Sequence, residues 1–144
     1  MDEPKHFSLI RPTLDTPYHI DFDWWKEHDN NWHVFLISCL CAEHQAAFQN
    51  QGEGAMIDWV DPVTAEIRQV DGIQTTLMNH CVKEPGFLTA NTAMIDAIFR
   101  VFLSNGNHPM SPLELSDKIG KSADTILKTI SGFQVYKGIR PARQ

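Results

Sequence analysis

At 144 residues, with 42% apolar and 10% aromatic residues, the chain can bury one ordinary domain, or two small ones sharing a core, without covalent staples. The 3 cysteines (Cys39, Cys41 and Cys81) make no even disulfide framework, and nothing from Met1 to Ile10 has the charged-then-apolar pattern of a signal peptide. The longest apolar run, Val34 to Ala42, is about half of a membrane span, so the expectation is a reduced cytoplasmic protein with no membrane partner.

Met1 to Pro17 carries Pro4, Pro12 and Pro17 among polar residues and reads as an extended arm. In Tyr18 to Trp25 the apolar Tyr18, Ile20, Phe22 and Trp24 alternate with His19, Asp21 and Asp23, the period of a half-buried strand. Asp29 to Asn31 offer capping oxygens before a long helix expected from about Asn31 to Gln49. Gly52 and Gly54 break the chain. A β-hairpin comes next, Met56–Val60 and Ala65–Val70 flanking the turn Asp61-Pro62-Val63-Thr64, with Asp71-Gly72 ending its second strand.

Ile73 to Lys83 places Ile73, Leu77, Met78 and Cys81 on one helical stripe, stopped by Pro85-Gly86. The next helix, Ala90 to Leu103 with Thr89 as its cap, is apolar nearly all round, so it is either the central helix of the fold or half of a dimer seam. Ser111-Pro112-Leu113-Glu114 then has the form of a capping box with proline at the first helical position, and Gly120 can end that helix in a left-handed turn. Ser122 caps a further helix whose Ala123, Ile126, Leu127 and Ile130 stand at i, i+3, i+4 and i+7. Beyond Gly132, Phe133, Val135 and Tyr136 are strand formers, and Lys137-Gly138 makes a turn.

Charge divides along the same line. Residues 1–104 hold 6 Lys+Arg against 15 Asp+Glu, whereas residues 105–144 hold 6 against 3, so a net charge of −6 conceals a basic C-terminal unit. That division suits nucleic-acid contact, and it is also what an ordinary solvated face displays.

Three helices, a short turn between the second and third, then a strand and a basic loop resemble the winged helix-turn-helix superfamily over Thr89 to about Pro141. The resemblance implies that Ala123–Ser131 matches the recognition helix and Phe133–Arg140 the wing, and that the protein is a transcriptional regulator binding duplex DNA in the major groove as a homodimer. On that basis Lys121, Ser122, Thr125, Lys128 and Thr129 contact DNA from the helix, while Lys137 and Arg140 hold phosphates from the wing. The competing class is a protein-interaction module docking through the winged helix, since fold alone does not fix function.

Chemistry in the acidic part is less marked. No GxSxG, P-loop or dinucleotide fingerprint is present, so neither an enzyme nor a bound cofactor is expected. His19, Asp21 and Asp23 would share a strand face that can meet a hard cation or simply water. Cys41 and His44 are three apart on the expected long helix, and His80-Cys81 can approach from the later one with the nitrogen and sulfur donors that zinc or iron prefers. A metal-sensing regulator would result. Yet CxxC and HExxH are absent and Cys39-x-Cys41 sends its thiols to different helical faces, so the cysteines read as small apolar core residues and no metal is assigned.

The sequence therefore predicts an α+β protein: an extended arm (1–17), an acidic extension of strand, long helix and β-hairpin (18–88) serving dimerisation, sensing or recruitment of a protein partner, and a winged helix-turn-helix (89–144). No flexible linker separates the last two, which favours one shared core.

Overall fold

The computed structural model describes residues 11–48 and 56–142. It is mixed α and β. The outer part of the expected arm, the segment with Gly52 and Gly54, Gln49 and the tail residue Arg143 lie outside the described residues.

Strand β1 covers only Tyr18–Ile20, because Asp21 ends the alternation by capping helix α1 (Phe22–His28), its carboxylate accepting the amide hydrogen of Trp24 at 3.1 Å. A short side-chain acceptor at the right position outweighs four residues of period-two pattern. The expected long helix is two helices, α2 (Trp32–Cys39) and α3 (Ala42–Phe48), broken at Leu40, whose ψ of 152° is extended. Gln45 holds the break, its amide donating to the carbonyls of Leu40 at 3.0 Å and Ser38 at 3.3 Å, two acceptors left over at the end of α2.

The hairpin forms as the turn residues require: β2 (Met56–Val60) pairs antiparallel with β3 (Ile67–Asp71), and Asp61 accepts the amide hydrogens of Val63 at 2.7 Å and Thr64 at 3.1 Å. Strand β3 runs directly into α4 (Gly72–Asn79), after which Cys81–Lys83 is a 3-10 turn rather than a continuation of the helix. Helix α5 (Met94–Ser104) starts later than its composition suggests, since Thr89 spends its hydroxyl in a local turn with Thr92 instead of capping. It is the central helix, with Ile98, Phe99 and Phe102 fully buried and with β1, α4, the 3-10 turn and α6 (Pro112–Ile119) packed around it.

Both halves of the capping box on α6 are made, Ser111 Oγ accepting from the Glu114 amide at 3.2 Å and Glu114 accepting from the Ser111 amide at 2.9 Å. Gly120, at φ 73°, turns the chain into α7 (Ala123–Ile130), capped by Ser122.

The expected wing takes a different form. Among the described residues no strand lies between Ser131 and Gly138, and Phe133 is fully exposed. Lys137 and Gly138, at φ 52° and 73°, do make the expected turn, closed by the Ile139 amide donating to the Tyr136 carbonyl at 2.9 Å. The turn leads into β4 (Ile139–Pro141), which pairs antiparallel with β1 instead of with a hairpin partner of its own. The other edge of β1 bridges to Met110, so the N-terminal strand lies between two C-terminal segments.

This seam is tight at Gly138, where an added Cβ would stand 2.7 Å from Trp25 Cβ and 2.9 Å from the Asp21 carbonyl. Gly138→Ala is therefore expected to lower unfolding stability by about 2–4 kcal/mol, combining overpacking with left-handed strain. Gly120→Ala, with nothing within 4 Å of its Cβ, should lose only about 1 kcal/mol; paired urea melts distinguish them. A second test concerns Tyr18, whose hydroxyl is buried without a partner among the described residues and is pushed by burial up to about 12 from 10.0. The unfolded chain loses that proton first, so stability falls as pH rises from about 10 toward 12. Tyr18→Phe is expected to remove that part of the decline and to raise stability at neutral pH by up to about 1 kcal/mol.

Candidate metal centre and the exposed face of α7

Breaking the long helix at Leu40 places Cys41 at the start of α3 with His44 one turn further on. The end of α4 and the 3-10 turn bring His80 and Cys81 to the same place, and the four donor atoms all lie within 4.8 Å of one another. Cys41 Sγ is 3.4 Å from Cys81 Sγ, 3.1 Å from His44 Nδ1 and 3.9 Å from His80 Nδ1, while Cys81 Sγ is 3.6 Å from His44 Nδ1. The two imidazoles meet edge to face with centroids 4.5 Å apart. Cys81 is buried, Cys41 and His44 are half-buried, and His80 is exposed.

Cys39, two residues before Cys41, is buried in the core on α2, so only one thiol of the Cys39-x-Cys41 pair joins the cluster. Burial pushes the Cys81 thiol up to about 11, which disfavours a free thiolate nucleophile there. A cavity of about 260 Å³ is lined by Cys39, Cys41 and Cys81 together with Glu84, Phe87 and Arg100, and by neither histidine. Arg100 donates to the Phe87 carbonyl at 2.7 Å and lies over the Phe87 ring, while its buried Nε has no partner among the described residues.

The other acidic-part candidate does not assemble. His19 lies on β1, Asp21 caps α1 and Asp23 is within α1, so the three never share a strand face. Trp25 is core, packed edge-on against Phe99 at 5.2 Å, and Trp24 stacks on His28 at 4.1 Å.

The residues assigned to DNA fall into two groups. On α7, Ile126 and Ile130 are buried while Thr125 and Lys128 are exposed three apart on one face, with Asp124 exposed beside them; Lys121 and Ser122, just ahead of the helix, are exposed as well. Ser122 Oγ accepts the Thr125 amide hydrogen at 3.4 Å, and half-buried Thr129 donates to the Thr125 carbonyl at 2.8 Å, so these two hydroxyls already serve the helix. Lys137 and Arg140 turn back onto the N-terminal helices. Lys137 Nζ sits 4.3 Å from the centroid of the Phe35 ring, and Arg140 meets Asp21 at 3.1 Å and the Trp24 ring at 5.0 Å. Nothing in the local pattern signals this, because all three partners come from the far end of the chain.

Comparison with family models, with curated proteins and with solved structures finds no match for this chain.

The Arg140 contacts are partly solvated, so Arg140→Ala is expected to lower stability by only about 1 kcal/mol. Asp21→Ala should lose more, because it removes the α1 cap as well as the ion pair. Chemical denaturation of the two variants and their combination measures the coupling.

Proposed function

We propose that the chain is a non-enzymatic duplex-DNA-binding regulator that docks through α6 and α7. The observation that carries this reading is the accessibility of the polar face of α7: its apolar face is committed to the core, and Thr125 and Lys128 are exposed together with Lys121 just before the helix. Neither lysine makes an ion pair among the described residues. An 8-residue helix is about 12 Å long, comparable with the width of the DNA major groove.

With no arginine, asparagine or glutamine on α7, base discrimination is modest and phosphate contact supplies most of the affinity. A single copy offers few phosphate contacts without an extended wing, which favours action as a homodimer, doubling the number engaged. A second reading, docking on a protein, is favoured by exposed Leu113 on α6 and Phe133 just after α7, apolar side chains that DNA does not require.

Fluorescence anisotropy with a random-sequence duplex tests the choice. Binding should weaken as salt rises, with a log–log slope of about −0.9 for each phosphate neutralised. Lys121→Glu combined with Lys128→Glu should weaken retention at low salt by more than about tenfold, since each lost contact is replaced by repulsion. Unchanged retention in the double variant overturns the DNA reading and leaves protein docking.

A further inference from the structure

The geometry points to a tetrahedral zinc site formed by Cys41, His44, His80 and Cys81, a metal clip that is independent of whatever α7 binds. Zinc takes thiolate sulfur at about 2.3 Å and imidazole nitrogen at about 2.0–2.1 Å, so adjacent donors around a tetrahedral ion stand roughly 3.3–3.8 Å apart. Four of the six edges, Cys41–Cys81, Cys41–His44, Cys41–His80 and Cys81–His44 at 3.4, 3.1, 3.9 and 3.6 Å, bracket those values, and the remaining two, both from His80, lie within 4.8 Å. Two sulfurs and two nitrogens converge from two separate elements, and both histidines present the same ring nitrogen, Nδ1.

Competing explanations fit less well. Four polar groups meeting by chance would have no reason to direct the His44 imidazole at both thiols and the His80 imidazole at Cys41. A disulfide between Cys41 and Cys81 needs sulfurs about 2.05 Å apart, and it leaves His44 and His80 without a role. A hard cation prefers oxygen donors, of which this set has none. Two thiolates and two neutral imidazoles give zinc a closed, four-ligand set with no protein position left for substrate, the pattern of a structural site.

Binding releases the two thiol protons, and the dication with two thiolates leaves the site neutral, which suits the burial of Cys81. The clip joins residues 40 apart in sequence and so ties together the two ends of a loop holding α3, the β2–β3 hairpin and α4. Closing a loop of that length is an entropic cost that a metal bound only by the folded chain offsets.

Elemental analysis of the full chain, purified under reducing conditions without chelator or added metal, is expected to find about one zinc per molecule. Stripping it should lower Tm, with zinc restoring it, and Co(II) added instead should give the intense visible absorption of tetrahedral thiolate coordination. Cys41→Ser and His44→Ala should each lose zinc by more than the roughly 10–100-fold typical of a lost supporting hydrogen bond, whereas Cys39→Ser, outside the cluster, should keep it. Should the ligand variants fail to fold, the wild-type chain still decides: titrating its thiols with a mercurial releases zinc to a metallochromic dye if the site is real. A chain that carries no zinc, gives no tetrahedral cobalt spectrum and shows no metal-dependent Tm overturns the proposal, and a Cys41–Cys81 disulfide in the same preparation assigns the pair to redox chemistry instead.

Discussion

The arrangement depends on where three residues near the N-terminus are held. Strand β1 lies between Met110 on one edge and β4 on the other, and Asn107 closes its end by accepting the Ile20 amide hydrogen and donating to the Ile20 carbonyl, both at 2.8 Å. Backbone groups in so buried a position must be paired somewhere, and the C-terminal segments are where these are paired. The strand is therefore part of the C-terminal unit of α6, α7 and β4 rather than an appendage to it. Cutting the chain near Thr89 would leave Met110 and β4 without the strand that joins them.

This seam sets the positions of everything around it. Asp21, immediately after β1, caps α1, accepts from Arg140 and receives the close approach of Gly138, so one residue fixes the start of a helix and the end of the C-terminal turn. Trp25, one turn into α1, then meets Phe99 of the central helix, and Phe35 of α2 meets the same ring at 5.1 Å. An aromatic cluster shared by three helices joins α1 and α2 to the central helix α5, which packs on α6 and through it on α7, so the exposed face of α7 has a fixed relation to the rest of the chain.

The local signals were legible and the distant ones were not. Ser111 and Glu114, Gly120, Ser122 and the Asp61 turn each act within a few residues, through a side chain that reaches its own backbone, so pattern alone locates them. The α5 burial was likewise readable, because a helix without a polar side has nowhere to go but inside. By contrast, the alternation from Tyr18 to Trp25 is genuine periodicity defeated by one capping carboxylate, and the unbroken apolar run across Leu40 hides a break held by Gln45. The wing differs for another reason: Phe133, Val135 and Tyr136 have strand-forming side chains but no strand partner among the described residues, whereas Ile139–Pro141, with one strand former, is a strand because its partner is at the other end of the sequence. Pairing between remote segments leaves no mark in local composition.

The same reason explains why the cysteines and histidines looked inert. The four donors can be named from the sequence, but the spacing within each pair, Cys41 to His44 and His80 to Cys81, offers only half a site, and nothing local fixes that the two elements meet. Cys39 and Cys41 would face different sides even on a continuous helix; the break at Leu40 starts α3 beside Cys41, with one thiol in the core and the other in the cluster. Helix α5 packs against both the 3-10 turn bearing Cys81 and the helix α6 that precedes α7. Contact of this kind is not coupling, which needs a second arrangement that the two sites favour unequally. The interior of α5 is filled by Ile98, Phe99 and Phe102 with no polar hinge among them, and a closed ligand set has no vacancy whose filling would move it. A metal held there acts on α7 by keeping the core assembled, so sensing would have to work through the stability of the whole fold rather than through a shift of one helix.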